Sequence, residues 1–234
     1  MRRKQFLTAI LAALLPLAGY GQSTAPTATY VNEDNISVSD ETDIKGQAPL
    51  EVVFKANPKD MEGHTPSYEW HFRKEGAEQD MMVRYEEDTQ FRFMESGKFN
   101  ITLNIRLTDC DIELPSATFS VTISESKLEF PNAFSPNDDN VNDIYRAKRS
   151  TDGKPLYQSI VEFHAYIFNR WGQKLFEWTD PADGWDGKYK GRDCKEGVYY
   201  VLVKAKGADG REYNIKKDVN LLRGYTTSET STTK

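Results

Sequence analysis

A short segment rich in oxygen-bearing side chains is the clearest candidate for ligand chemistry in this sequence. Residues 137–143 read NDDNVND, and hard cations such as calcium take about six to eight oxygen ligands from loops of this kind. The spacing differs from that of an EF-hand loop, which ends in a Glu. A turn in which Asn and Asp side chains bond to the local backbone accounts for the same composition. The candidate calcium ligands are Asp138, Asp139, Asn140 and Asp143.

The histidines and serines show no pattern typical of an enzyme. No pair among His64, His71 and His164 has the spacing of a zinc site, and no Glu-x-x-His companion exists. His71 and His164 fall on the polar phase of predicted strands and are expected at the surface. Neither a Gly-x-Ser-x-Gly elbow nor a Gly-rich phosphate loop is present. We therefore expect no catalytic site and no required cofactor; a hydrolase with two close, buried carboxylates is the least favoured alternative.

Cys110 and Cys194 are the two cysteines, and neither belongs to a C-x-x-C motif. A redox or zinc motif is therefore not indicated. The two residues fall in different predicted domains. A disulfide between the domains and two unpaired thiols both remain open.

Two tryptophans next to tight turns are candidates for binding a partner. Trp171 lies in the segment Asn169-Arg170-Trp171-Gly172, and Trp185 lies in Gly184-Trp185-Asp186-Gly187. Such aromatics pack against a core or anchor an interface, where Trp and Arg are favoured. The candidate partner-binding residues are Asn169, Arg170, Trp171, Trp185, Asp186 and Arg223.

The elements that must position these residues are predicted to be strands. Apolar and polar residues alternate over 50–56, 68–73, 99–107, 117–124, 161–168 and 199–206. This period of two is typical of strands with one buried and one solvated face. Turn residues separate the segments about every 10 residues, as in a β-sandwich. The sequence predicts an all-β chain with two immunoglobulin-like β-sandwich domains in tandem.

Both ends of the chain are predicted to lie outside these domains. A basic start, a short apolar run over 6–17 and small residues at Gly19 and Gly21 predict a secretory signal peptide over 1–21, cleaved before Gln22. A retained membrane anchor is the alternative. Residues 22–29 have the composition of a linker, and residues 225–234 that of a disordered tail.

Charge and length narrow the class of protein further. The chain has 234 residues and a formal net charge of −6, so it has no general attraction for phosphate backbones and nucleic acid is not an expected partner. The length suits two domains. No stretch after the signal peptide is apolar enough to cross a bilayer.

Residues 30–124 resemble the PKD family, an immunoglobulin-like sandwich. The matching segments are 46–50 (GQAPL), 68–72 (YEWHF) and 96–103 (SGKFNITL). The Gly-Asp-Gly that usually follows the second segment is absent, and the chain reads RKEG over 73–76. The resemblance implies a spacer or a binding module.

Residues 128–224 resemble the gliding-motility-associated C-terminal domain, also called the type B C-terminal domain of type IX secretion in Bacteroidetes. The motifs, in order, are 130–143 (FPNAFSPNDDNVND), 167–172 (IFNRWG), 184–187 (GWDG), 197–201 (GVYYV) and 219–223 (VNLLR). The Gly-Asp-Gly usual in the first motif is Asp138-Asp139-Asn140 here. Several ordered motifs over this length are more specific than one short match.

This second resemblance implies a folded export address that is recognised by the secretion machinery and by outer-membrane proteins of the PorP/SprF type. With a PKD-like domain in place of a large passenger, we expect a non-enzymatic exported component of the type IX secretion system. It would work in secretion or in signalling its status, in the periplasm or at the outer membrane and cell surface. The alternative is a surface adhesin whose PKD-like domain binds carbohydrate or protein, which a row of exposed aromatics on that domain would favour.

Overall fold

The computed structural model describes residues 21–32, 34–39 and 42–224. The predicted signal peptide, except for Gly21, and the predicted tail over 225–234 lie outside the described residues. All regular secondary-structure elements within the described ranges are strands, which confirms the all-β prediction. The described part of the chain contains no helix with the length and apolar character needed to span a bilayer.

The first domain is built from two main sheets. Its strands are β1 (Ser23–Thr24), β2 (Thr27–Val31), β3 (Ser37–Ser39), β4 (Asp43–Gly46), β5 (Leu50–Lys55), β6 (Pro58–Lys59), β7 (Pro66–Lys74), β8 (Met82–Arg84), β9 (Asp88–Phe93), β10 (Gly97–Leu107), β11 (Ile112–Glu113) and β12 (Ala117–Ile123). One sheet has the order β3-β2-β5-β9, and the other has the order β4-β12-β10-β7-β8, with β11 paired to β10. β1 and β6 form a separate two-stranded sheet.

Aromatic side chains fill the space between the two main sheets. Phe54 on β5 lies 5.8 Å from the ring of Trp70 and 5.4 Å from that of Phe119, both on the facing sheet. Trp70 is fully buried, and its indole N–H donates to the carbonyl oxygen of Glu86 at 3.1 Å. The strict alternation along these strands therefore places one apolar face of each sheet in a shared core, as in a β-sandwich.

The prediction of a linker over 22–29 is wrong for two segments, and the first of them is β1 at Ser23–Thr24, which pairs with β6. β2 begins at Thr27, pairs with β5, and buries Ala28 completely. Thr is favoured in strands and Ala28 fits into the core, so a composition typical of linkers forms ordered strand here.

The second domain has a five-stranded sheet of order β13-β19-β18-β14-β15 and a separate two-stranded sheet, β16-β17. The strands are β13 (Ala133–Phe134), β14 (Ile160–Phe168), β15 (Lys174–Trp178), β16 (Lys188–Tyr189), β17 (Arg192–Asp193), β18 (Gly197–Gly207) and β19 (Glu212–Leu221). One face of the larger sheet is covered by irregular chain, held by single bridges such as the one that pairs Tyr145 with Trp185.

Tyr145 and Trp185 lie at the centre of the second core. Both are fully buried, and the ring of Phe134 lies 5.6 Å from Tyr145 and 5.3 Å from Trp185. Desolvation by burial raises the pKa of the Tyr145 phenol, whose hydroxyl donates to the carbonyl oxygen of Pro131 at 3.2 Å. Hydrogen bonding thus satisfies the polar end of a large buried ring.

The cores of the two domains meet at their junction. Ala208, directly after β18, is buried in the core of the first domain, and Val161 on β14 packs against the same core. The backbone N–H of Ser96 donates to the carbonyl oxygen of Ala208 at 3.0 Å. The second domain therefore completes the apolar interior of the first.

Candidate functional site

The hairpin between β14 and β15 holds three of the predicted partner-binding residues in a tightly bonded loop. The side-chain oxygen of Asn169 accepts the backbone N–H groups of Trp171 at 2.9 Å and Gln173 at 3.1 Å. Gly172 turns the chain with a φ of 78°, a conformation that suits glycine. Asn169 is therefore a positioning residue that orders the backbone of the loop.

Trp171 projects from this loop into solvent. Its side chain is 79% exposed, and the Arg170 guanidinium lies 4.9 Å from its ring centroid. A Trp with an Arg stacked on it, on an ordered loop, offers a large contact area that needs little further ordering on binding. These two side chains can form the centre of an interface.

The outer face of the larger sheet carries aromatics that the sequence reasoning assigned only to a solvated face. Tyr166 and Phe168 alternate with the buried Ala165 and Ile167 along β14. Tyr200, which is 48% exposed, is the β18 partner of Phe168. We call Tyr166, Phe168 and Tyr200 the outer aromatic face. Aromatic residues at the polar positions of a strand could have indicated this exposed aromatic surface from the sequence, because an ordinary solvated face carries few of them.

Trp185, in contrast, is not a surface residue. It is fully buried, its indole N–H donates to the carbonyl oxygen of Lys188 at 2.8 Å, and Tyr199 lies 5.0 Å from its ring. The prediction that Trp185 contacts a partner is therefore wrong, because no part of its surface is accessible. The alternative interpretation, that it packs against the core, describes its position.

Asp186 and Arg223 act within the fold. The Asp186 carboxylate accepts the backbone N–H of Lys188 at 3.0 Å and closes the turn after Trp185. The Arg223 guanidinium donates to the carbonyl oxygens of Gly187, Pro136 and Cys194 at 3.0 to 3.2 Å. It thereby ties three loops together, and these bonds use one N–H of each guanidinium nitrogen within the fold.

Backbone groups surround the predicted calcium ligands. The Asp143 carboxylate accepts the N–H groups of Asn137 and Asp138 at 2.9 Å and that of Asn140 at 2.7 Å. The Asp139 carboxylate accepts the N–H of Val141 at 2.8 Å. This is the local turn that the sequence left as the alternative to a calcium site.

The two cysteines and a pair of buried carboxylates were the other candidates for chemistry. Cys110 and Cys194 are both free thiols, as in the unpaired alternative, and burial raises the pKa of Cys194. Among residues 21–32, 34–39 and 42–224, the buried polar side chains are Thr89, Ser126 and Ser159. That described part therefore holds no pair of buried carboxylates of the kind a hydrolase would need.

The second domain matches the model of a known protein family. Residues 128–218 match the model of the CHU_C type IX secretion signal domain. This match confirms the resemblance that the motifs of the second domain indicate, and it associates the protein with type IX secretion. The PKD-like resemblance of the first domain stays a prediction.

Three solved structures are similar to parts of this chain. The FN1–FN3 domains of chicken CNTN1 share 9% identity, with a TM-score of 0.28 and coverage of 79% of this chain and 70% of that one. A Bacteroides ovatus mixed-linkage glucan utilization locus protein, SGBP-B, shares 14% identity at a TM-score of 0.28, covering 77% and 42% of the two chains. Dimeric latent PorU from Porphyromonas gingivalis shares 12% identity at 0.24, covering 86% and 20%. A search of curated proteins found no match.

Proposed function

We propose that this protein is a non-enzymatic, exported component of the type IX secretion system. In this proposal its second domain docks to an outer-membrane protein of the PorP/SprF type, and the protein acts in secretion or in signalling its status. The match of residues 128–218 to a type IX secretion signal domain carries the proposal. Docking to a protein at the outer membrane would hold the exported chain in the periplasm or at the cell surface.

The docking contact is proposed to centre on Trp171 and Arg170 and to extend over the outer aromatic face. Trp and Arg are the residue types that most often dominate binding energy when a partner desolvates them. The hydrogen bonds that the Asn169 side chain accepts order the loop before binding, which lowers the entropy cost of forming the contact. The first domain would present a second surface to another protein.

Crosslinking in living cells tests this function. The tagged full chain is expressed in a bacterium with a type IX secretion system, crosslinked mildly in intact cells, purified and analysed by mass spectrometry. Trp171→Ala removes the proposed anchor. Tyr85→Ala is the matched control, because Tyr85 is 68% exposed on the first domain and lies outside the proposed contact.

We expect a PorP/SprF-type barrel and other secretion components among the crosslinked partners of the wild type and of Tyr85→Ala. The yield of the barrel should fall at least about tenfold with Trp171→Ala, because a central anchor contributes about 2 kcal/mol or more. Wild-type crosslinks without any secretion component would overturn the proposed function. Crosslinks mainly to sugars or foreign proteins would instead indicate the adhesin.

A further inference from the structure

A second group of reactive side chains lies at the end of the first domain, where β10 leads into β11. The Nδ1 atom of His64 lies 2.8 Å from a carboxylate oxygen of Asp109 and 3.8 Å from the sulfur of Cys110. The three potential ligand atoms all lie within 4.8 Å of one another. Asp109 and Cys110 are exposed and His64 is half-buried, so an ion in solution can reach them.

The pairing of β7 with β10 brings these distant residues together. Pro66 is the partner of Leu107 at the end of this ladder, so the segments just beyond it run side by side. Thr65 fixes their spacing: its N–H donates to Asp109 at 2.9 Å, and its carbonyl oxygen accepts from Thr108 at 3.0 Å. The donor atoms are therefore positioned by backbone that is already bonded.

We propose that His64, Asp109 and Cys110 bind a divalent transition-metal ion, and that Zn²⁺ is the ion that fits best. Imidazole, thiolate and carboxylate are the usual zinc ligands, and a mixed set of this kind favours zinc over calcium or magnesium. Tetrahedral zinc geometry requires about 3.3 Å between ligand nitrogen and oxygen and about 3.6 Å between nitrogen and sulfur. The observed separations of 2.8 and 3.8 Å lie within about half an ångström of these values. The carboxylate oxygen and the sulfur lie within 4.8 Å of each other, so rotation of these two exposed side chains completes the set.

Binding is accompanied by a defined movement of protons. The Cys110 thiol releases its proton and binds as the thiolate. The Nδ1 atom of His64 binds the ion through its lone pair, with the ring proton on Nε2. The amide nitrogen of Gln22 lies 3.1 Å from Nε2. After a half-turn of this amide, its oxygen accepts a hydrogen bond from the Nε2–H group, as is usual for the outer nitrogen of a metal-bound histidine.

Three protein ligands leave one tetrahedral position for water or for a donor atom from another molecule. No local motif in the sequence indicates this site, because His64 lies far along the chain from Asp109 and Cys110 and the set includes one histidine. The usual zinc motifs contain paired histidines or cysteines, and this set of three ligands has neither. The site is independent of the docking surface on the second domain.

Metal titration of the purified full chain, kept reduced, tests the proposal. Zn²⁺ is titrated by calorimetry, and Co²⁺ is added to detect the charge-transfer absorption that a thiolate ligand produces. Cys110→Ser and His64→Gln remove ligands. The matched controls are Cys194→Ser, at the other free thiol, and His71→Gln, whose ring lies 2.8 Å from Asp80 without a thiol beside it.

We expect a single Zn²⁺ site in the wild type and in both controls. Loss of a group that only hydrogen-bonds to a ligand weakens metal binding about 10- to 100-fold. Loss of a ligand itself should therefore weaken Zn²⁺ binding by more than this, and Cys110→Ser should abolish the cobalt–thiolate band. Circular dichroism and a cooperative thermal transition without metal should show that every variant is folded, so that a change in Zn²⁺ binding reports on the ligands. Absence of zinc binding to the folded wild type, or equal binding by wild type and Cys110→Ser, would overturn the proposal.

Discussion

The side-chain oxygen of Ser159, in the second domain, accepts a hydrogen bond from the backbone N–H of Ala48, in the first, at 3.2 Å. Ser159 is 1% exposed, and its hydroxyl also lies 2.9 Å from that of Ser124. Together with Ala208, which is buried in the core of the first domain, this contact makes the junction part of the folded interior. The stability of one domain therefore depends on the other.

Removing the Ser159 hydroxyl tests this dependence. Ser159→Ala leaves the buried N–H of Ala48 without its acceptor, and an orphaned buried donor costs about 1–3 kcal/mol. We expect the free energy of unfolding in urea to fall by that amount, with a single transition for the two domains. Two separate transitions in the wild type would contradict a shared interior.

The same chemical change at Ser120 is the control for this experiment. The Ser120 hydroxyl is buried and has no hydrogen-bond partner among the described residues. Ser120→Ala therefore orphans no other group, and we expect the unfolding free energy to stay the same or to rise slightly.

The two tryptophans of the second domain should respond differently to truncation. Trp185→Ala removes a fully buried ring and should lower the free energy of unfolding by about 3–5 kcal/mol. Trp171→Ala removes a ring that is 79% exposed and should change it by less than about 0.5 kcal/mol. Chemical denaturation measures both values. A large loss of stability in Trp171→Ala would show that its ring packs against the fold.

Gly184 is predicted to tolerate no side chain. A Cβ atom there would lie 2.4 Å from the carbonyl oxygen of Tyr145 and 2.7 Å from the Cβ of Arg146. The backbone bridge between Tyr145 and Trp185 holds both segments in place. Relief of the clash would therefore require a movement of the backbone. We expect Gly184→Ala to destabilise the protein by about 1–3 kcal/mol.

Thermal unfolding of Gly184→Ala is compared with that of Gly224→Ala. Among the described residues beyond its chain neighbours, the nearest atom to a Cβ added at Gly224 is a side-chain oxygen of Glu196, 3.9 Å away. This second exchange should shift the unfolding free energy by less than about 0.5 kcal/mol. Equal effects at both positions would argue against close packing at Gly184.

Asp80 should contribute to stability in a pH-dependent way. Its carboxylate accepts from Arg73 at 2.7 Å and lies 2.8 Å from Nδ1 of His71. The bond from Arg73, and then that from His71, hold the pKa of Asp80 below its ordinary value. A depressed pKa in the folded state gives a contribution that is complete above the unfolded pKa, about 3.9, and is lost as the pH falls through the folded pKa.

Urea unfolding of Asp80→Asn between about pH 7 and about pH 2 measures this contribution. The variant should be less stable than the wild type at neutral pH, and the difference should shrink as the pH falls below about 4. Asp43→Asn, at an exposed carboxylate, serves as the control. A constant difference between wild type and Asp80→Asn across the range would contradict the assignment.

Alternation of apolar and polar residues was enough to predict β5, β7, β10, β12, β14 and β18. The buried positions of β7, at Tyr68, Trp70 and Phe72, follow the period of two, because that period is a property of the extended backbone itself. β2 was missed over Thr27–Val31, since its small residues carry a weak apolar signal. Its place depends on pairing with β5, a segment far along the chain.

Local pattern could not separate Trp171 from Trp185, because each stands beside a tight turn. One is exposed and the other buried, and the difference comes from the chain that folds over Trp185 and bridges it to Tyr145. The sequence by itself determined the all-β class, the division into two sets of motifs and the relation of the second to type IX secretion. These features depend on short-range periodicity and contiguous motifs.

Only the tertiary structure decided which side chains meet. The contact of Ser159 with Ala48 and the cluster of His64 with Asp109 and Cys110 join residues that are distant in sequence. Such contacts follow from strand register and from the packing of one element on another. A shift of register by one residue would reverse the face of every side chain on a strand, and nothing in a local pattern of residue types specifies that register.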